Sequence, residues 1–189
     1  MKSPFSVLIF GAMLAFAAIT AHADEYADTI KVFKNAGKSA EFFKHSYGYA
    51  VFPTVGKGGL GVGAAYGTGR VYRGGAYVGD TSITQLSIGF QAGGEAFSEI
   101  IFFENKATFD KFTAGNFEFA ATAQATAITA NASASAGTTG ATAGASGTKD
   151  SAATAGNYQD GTAIFTVAKG GLMYEASIAG QKFSYKPNK

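Results

Sequence analysis

The sequence predicts an α+β protein that is rich in β-structure, with an antiparallel barrel-like or sandwich core. Glycine makes up 26 of the 189 residues, about twice its usual share of ~7%. Phenylalanine, tyrosine, valine and isoleucine are abundant, and these residue types favour strands. Glycine at this frequency among strand formers indicates many short strands joined by tight turns.

A repeated glycine-rich segment organises the predicted sheet. Residues 49–72 contain the tetrapeptide KGGL, which returns at 169–172 after a spacing of 112 residues. At a spacing of 113 residues, one more than for KGGL, AVF at 50–52 matches AIF at 163–165. We interpret the two copies as equivalent strand–turn–strand units in which the Gly-Gly pair of KGGL provides the turn.

The first 23 residues have the pattern of a secretory signal peptide. Lys2 precedes an apolar run at 5–19, and the small residues Ala21 and Ala23 precede the expected cleavage site. We therefore expect residues 24–189 to form a single exported domain. Because the chain has no cysteine, its stability cannot come from disulfides, and cysteine-based metal, redox and nucleophile chemistry is excluded.

An amphipathic helix is predicted from residue 24 to about 45. Its apolar side carries Tyr26, Ile30 and Phe33, which recur at helical spacing. Another side carries three lysines, Lys31, Lys34 and Lys38. Gly37 weakens a helix by about 1 kcal/mol relative to alanine, so we expect a bend or break there. The lysine side has two open interpretations, a solvated face of a packed helix or a surface that contacts an anionic membrane.

The glycines that follow Pro53 match a dinucleotide-binding pattern only in their letters. Gly56, Gly58 and Gly61 spell GxGxxG, and Asp80 follows about 20 residues later. That motif must open a helix, but further glycines and strand formers follow at once, so we reject it.

Residues 71–103 alternate in a way that predicts three or so further strands. The candidate core residues of these strands are Ile83, Leu86, Ile88, Phe90, Phe97 and Ile101. Glu95 and Glu99 share strand parity, so a catalytic carboxylate pair is geometrically conceivable. We instead interpret them as exposed strand carboxylates. His45 is the only histidine after the predicted signal peptide, and the sequence has no nucleophile motif, so nothing else resembles a hydrolase site. We expect no enzymatic activity, no cofactor and no metal.

The segment 105–115 is predicted to be a short helix. Asn105 can cap it, Phe109 and Phe112 face inward, and Gly115 can end it. From 121 to 136 alanine occupies alternate positions, a pattern that favours a strand over low-complexity coil. Residues 137–157 are almost entirely Gly, Ser, Thr and Ala, which predicts a flexible loop.

Charge is distributed unevenly along a chain whose net charge is only +2. Residues 30–75 carry seven basic side chains against one acidic side chain, and 161–189 carry four against one, whereas 76–160 are acidic. If the two repeat copies are neighbours, their basic residues and the helix lysines lie on one surface. Such a surface either attracts phosphate headgroups or is simply solvated. Nucleic acid is a less suitable partner for an exported chain of this charge.

Four segments together resemble the SYLF-domain family, a phospholipid-binding module of membrane-trafficking and fungal actin-regulatory proteins with many secreted bacterial relatives. They are GYAVFPTVGKGGLGVG (48–63), SIGFQAGGEAFSEIIFF (87–103), FDKFTAGNFEFAATAQA (109–125) and KGGLMYEASIAGQKFSYKP (169–187). The resemblance implies lipid binding through a basic surface and an amphipathic N-terminal helix. Because the chain has a predicted export signal, we expect lipid binding rather than actin binding to be shared.

The sequence therefore predicts non-enzymatic binding of anionic phospholipid at a cell-envelope membrane by a periplasmic or secreted, peripherally associated protein. The candidate lipid-binding residues are Lys31, Lys34, Lys38, Lys57, Arg70, Arg73, Lys169 and Lys182. The alternative is a structural or protein-interaction module of the envelope with a protein partner.

Overall fold

A computed structural model describes residues 25–60, 62–88, 95–119, 125–127, 157–169, 178 and 180–189. The predicted signal peptide and nearly all of the predicted loop at 137–157 lie outside these residues. Within the alternating alanine tract, only 125–127 are described. None of the helices in the described ranges has the length and apolar character that crossing a bilayer requires.

The described strands form one sheet, which is mainly antiparallel and curls into a half-barrel. Its strands are β1 (Gly48–Leu60), β2 (Val62–Arg73), β3 (Ala76–Ile88), β4 (Glu95–Phe103), β5 (Phe117–Glu118), β6 (Thr126–Ala127), β7 (Thr162–Ala168) and β8 (Lys182–Pro187). Their order across the sheet is β5-β8-β3-β2-β1-β4-β7-β6. The β-rich, barrel-like α+β class that the composition predicts is confirmed.

The first copy of the glycine-rich repeat is the β1–β2 hairpin. Its strands pair from Gly48 opposite Arg73 up to Leu60 opposite Val62, so the predicted strand–turn–strand arrangement is confirmed. The predicted position of the turn is wrong. Gly58 and Gly59 are paired within β1, because the two strands continue to pair for one more residue before the chain reverses.

The two strands described in the second copy, β7 and β8, do not pair with each other, and 170–177 between them lie outside the described residues. Strand β7 pairs with β4 and β6, whereas β8 pairs with β3 and β5. Four strands therefore separate β7 from β8 in the sheet. The predicted equivalence of the two copies is wrong, because similar strand sequences found different partners.

The concave face of the sheet encloses the larger apolar core, which is covered at one end by helix α3 (Lys106–Thr113). As predicted, the Asn105 side chain accepts a hydrogen bond from the backbone N–H of Thr108, at 3.0 Å. Phe109 and Phe112 are buried against the sheet, and Gly115 adopts a φ of +91° just beyond the helix. The predicted short helix is confirmed.

Two helices cover part of the convex face: α1, described over residues 25–35, and α2 (Gly37–His45). The break between them lies at Ala36, whose backbone is extended, next to the predicted weak point at Gly37. The hydroxyl of Ser39 donates to the Phe33 carbonyl oxygen at 2.6 Å, which satisfies a carbonyl that the break leaves free. The convex core under the helices comprises Phe33, Tyr49, Val51, Ile100, Phe102, Ala163, Phe165 and Val167.

Strand alternation decides which predicted core residues are buried. Ile83, Phe97 and Ile101 are buried on the concave side, as predicted. Leu86 is 80% exposed, so its predicted burial is wrong: in β3 the odd-numbered residues face the core, and Leu86 has the opposite parity. The side chains of Ile88 and Phe90 lie outside the described residues.

Candidate functional site

The outer surface of α1 and α2 carries three exposed lysines, Lys31, Lys34 and Lys38. Phe33, between them in sequence, is fully buried, which confirms the predicted division of this segment into an apolar and a basic side. Within the described chain none of the three lysines forms an ion pair. Their charges are therefore available to an external anion.

An aromatic row connects this lysine surface to the edge of the convex face. The Nζ atom of Lys34 lies 5.4 Å from the ring centre of Phe43. Successive ring centres then lie 5.1 Å apart from Phe43 to Tyr49, 5.0 Å from Tyr49 to Tyr72 and 6.0 Å from Tyr72 to Tyr77. Burial raises the pKa of Tyr49 to about 12, and the contact of this ring with Phe43 helps to fix α2 on the sheet.

Arg70 is held between two aromatic rings. Its guanidinium carbon lies 4.3 Å from the ring centre of Tyr26 on α1 and 5.2 Å from that of Tyr77 on β3. It is also paired in register with Asp80. These contacts join α1 to β2 and β3, so Arg70 stabilises the helix layer more than it presents a free charge.

Arg73 ends β2 and lines a surface cavity of about 440 Å³. The same cavity is lined by Tyr77, Phe109, Tyr185 and Asn188, among others. Arg73 is exposed and makes no ion pair with any residue that the structure describes. It is opposite Gly48, beside Phe109 of α3, so it does not share a surface with the three helix lysines, and the prediction that Arg73 joins them is wrong.

Lys169 and Lys182 are both exposed but are partnered within the chain. The Nζ atom of Lys169 lies 3.4 Å from a carboxylate oxygen of Glu25 and hydrogen-bonds Thr54. Lys182 lies 3.5 Å from Glu118. Exposed pairs of this kind contribute about 0 to 1 kcal/mol each and are screened by salt, but they reduce the charge that each lysine offers to a ligand.

Lys57 lies on the other side of the sheet from the helix lysines. It is paired in register with Ala65 and with Glu95, and Ala65 belongs to the concave core. Directly opposed residues of neighbouring strands share a face. The prediction that Lys57 joins the basic surface is wrong, because a bulge between Val51 and Thr54 shifts the alternation of β1.

Glu99 is a residue whose environment the sequence interpretation missed. It is fully buried rather than exposed, and the side-chain N–H of the equally buried Gln181 donates to Glu99 Oε2 at 3.0 Å. Burial raises the pKa of Glu99 to about 8, although the Gln181 hydrogen bond opposes the shift. The signal was present in the alternation, since Phe97 and Ile101 share its parity. The side chain of Glu95 lies outside the described residues.

A smaller apolar patch lies on the convex face outside the helix layer. Tyr66 on β2 is 58% exposed, and Leu86 on β3 is 80% exposed. Tyr66 is opposite Thr84, two residues before Leu86, so the two apolar side chains are diagonal neighbours on the convex face. Among the residues described, no cluster of His, Cys, Asp and Glu could hold a metal ion.

No family model matches the chain. Beta cell expansion factor A from Aeromonas veronii is 29% identical over 168 residues. The match covers 83% of this chain and 53% of the relative, so this chain spans about half of that protein's length. The chain is therefore similar, over most of its length, to part of a longer bacterial protein.

Proposed function

We propose that this protein binds the headgroups of anionic phospholipids at a cell-envelope membrane, as an exported and peripherally associated protein without enzymatic activity. The observation that carries the proposal is the set of three exposed helix lysines, Lys31, Lys34 and Lys38, without an ion-pair partner in the described chain. Each basic residue near an anionic surface contributes about 1 kcal/mol. Together the three lysines would contribute about 3 kcal/mol to binding an anionic membrane.

The eight predicted residues divide into distinct roles in this proposal. Lys31, Lys34 and Lys38 offer charge to the membrane, whereas Arg73 borders a cavity lined by Phe109 and Asp110 of α3 and does not take part. Arg70 holds α1 on the sheet through Tyr26. The ion-paired Lys169 and Lys182 contribute weakly, and Lys57 on the concave side does not take part. The resemblance to the SYLF-domain family supports lipid binding by the same helix.

Vesicle flotation tests this function. The purified protein is mixed with neutral phosphatidylcholine vesicles or with vesicles containing anionic phosphatidylglycerol, at 0.05 M and at about 0.5 M salt, where the screening length is only a few Å. We expect flotation with the anionic vesicles alone and its loss at the higher salt concentration. Equal flotation with both vesicle types, or none with either, would contradict the proposal.

A second candidate function is a protein-interaction module of the envelope. The exposed Tyr66 and Leu86 favour it, because contiguous apolar side chains on a surface mark interaction sites more often than isolated ones do. Association through these residues is expected to resist salt and to be lost in a Tyr66→Ser/Leu86→Ser variant. Crosslinking in intact cells, with and without this double change, distinguishes it from lipid binding.

A further inference from the structure

Among the described residues, one buried side-chain hydrogen bond joins the two halves of the curled sheet. Glu99 lies on β4, and Gln181 immediately precedes β8. Three strands separate β4 from β8 in the sheet, yet the side chains of Glu99 and Gln181 meet at 3.0 Å. The bond therefore crosses the concave interior and does not follow the sheet.

The surroundings of Glu99 are apolar or uncharged. Along β4 its neighbours on the same face are Phe97 and Ile101, and across the sheet it is opposite Phe52 on β1 and Thr166 on β7. Phe52 is fully buried, and Thr166 nearly so. No basic residue on these neighbouring positions compensates for a carboxylate charge.

The other titratable groups that the structure describes on the concave face lie further along the sheet. Lys57 on β1 is opposite the Glu95 position rather than Glu99. Tyr185 on β8 packs at the margin of the concave core. Burial has the largest effect on the pKa of Glu99 and raises it, and the Gln181 hydrogen bond has a smaller, opposite effect. Neither Lys57 nor Tyr185 contributes to the shift of this pKa.

Two oxygen atoms of this buried pair lack hydrogen-bond partners in the described chain, Oε1 of Glu99 and Oε1 of Gln181. An ionised carboxylate can only accept hydrogen bonds, so it cannot satisfy the Oε1 atom of Gln181 and leaves its own Oε1 without a donor. A protonated carboxyl group has one O–H donor, and the free amide oxygen of Gln181 is an acceptor on the residue already bonded to it. Adding one proton to the Glu99 carboxylate would therefore allow a second hydrogen bond, from Glu99 to the Gln181 amide oxygen.

We propose that Glu99 is protonated in the folded protein at neutral pH and that Glu99 and Gln181 form a proton-dependent latch across the concave face. In the closed latch each side chain donates one hydrogen bond to the other. Loss of the proton removes the hydrogen bond that Glu99 donates and leaves a buried carboxylate whose one partner in the described chain is the Gln181 side-chain N–H. Because a buried charge is costly, the pair then opens to admit water. The segment before β8 then loosens, because the Gln181 carbonyl accepts from the Phe119 N–H at 3.0 Å.

The direction of the pH effect follows from the raised pKa. The usual value for this carboxyl group is 4.5, and the folded value is about 8, so the proton stabilises the folded state. This stabilisation is complete below about 4.5 and is lost as the pH rises to about 8. Across that window the equilibrium constant for unfolding is expected to rise about tenfold per pH unit, and then to level off.

The test combines a carboxyl titration with two matched variants. The side-chain carboxyl carbon of Glu99 is followed by NMR in the wild-type protein, and chemical denaturation is measured between pH 5 and 9. Glu99→Gln keeps the paired geometry without a titratable proton, and Glu104→Gln changes an exposed carboxylate just after the same strand. The protection factor of the Phe119 amide against hydrogen exchange reports whether the latch is closed.

We expect Glu99 to titrate near pH 8, and Glu99→Gln to remove the tenfold-per-unit dependence that Glu104→Gln retains. The Phe119 protection factor should fall above pH 8 in the wild type but not in Glu99→Gln. Titration of Glu99 near 4.5 in the folded protein would overturn the proposal. So would a Phe119 protection factor that is the same on both sides of the Glu99 titration.

Discussion

Replacing Lys31, Lys34 and Lys38 together with glutamine is expected to weaken binding to anionic vesicles about 100-fold. Each of these lysines is exposed and lacks an ion-pair partner in the described chain, so each contributes close to the full ~1 kcal/mol of a basic residue near an anionic surface. The loss of about 3 kcal/mol corresponds to roughly two powers of ten in the dissociation constant. Lysine and glutamine have similar helix propensity, so the helices should remain intact.

A control triple separates this surface from net charge. Lys106, Lys111 and Lys182 are also exposed, and their replacement by glutamine changes the net charge by the same amount. Lys106 and Lys182 are ion-paired, and α3, which carries Lys106 and Lys111, packs against the concave core. We expect this triple to weaken binding less than about threefold, since the remaining effect is long-range attraction.

The assay is a titration of protein with phosphatidylglycerol-containing vesicles at 0.1 M salt, read by sedimentation of the bound fraction. Circular dichroism of each variant confirms that the helices are retained. Equal weakening by the two triples would show that binding depends on net charge and not on the helix surface. Unchanged binding of the Lys31/Lys34/Lys38 triple would refute the assignment of this surface.

Two further predictions concern the fold that positions this surface. Gly69→Ala is expected to lower the free energy of unfolding by about 1 to 3 kcal/mol, because a Cβ atom there would lie 2.5 Å from the Phe52 ring. The control Gly56→Ala places its Cβ atom in open space and should change the free energy of unfolding little. Similar denaturation midpoints for the two variants would contradict this prediction. Asn105→Ala should cost about 1 kcal/mol by removing the acceptor for the Thr108 N–H, and an unchanged urea midpoint would show that the cap contributes nothing.

Local signals in the sequence predicted the elements whose contacts are themselves local. The cap at Asn105, the inward spacing of Phe109 and Phe112 and the end at Gly115 are all set within a dozen residues, and the helix forms there. The division of α1 into a buried Phe33 and exposed lysines follows from helical spacing for the same reason.

Features that depend on distant strand partners were not predictable from the sequence. The repeat suggested that β7 and β8 are neighbours, but β7 pairs with β4 and β8 pairs with β3. A strand sequence specifies an alternating pattern of side chains and not the identity of its neighbour. Lys57 was misplaced because a bulge in β1 changes the parity of every residue beyond it.

For Glu99, the residue type predicted exposure, whereas the alternation of the strand predicted burial, and the side chain is buried. A carboxylate on a strand is most often exposed, and that expectation outweighed its position between Phe97 and Ile101. Gln181 makes burial possible, but it lies 82 residues further along the chain. The sequence offers no local indication that these two side chains meet.

The proposed contact of the lysine surface with a bilayer can be tested directly, because the chain has no cysteine and a label can be placed at one introduced position. An environment-sensitive NBD fluorophore is attached to a single cysteine at Asn35→Cys, an exposed position next to Lys34, or at Ala107→Cys, an exposed position on α3. With phosphatidylglycerol vesicles we expect brighter, blue-shifted emission from the label at position 35 and unchanged emission from position 107. The reverse pattern, or no change at position 35 while the protein sediments with the vesicles, would contradict the proposed mode of membrane binding.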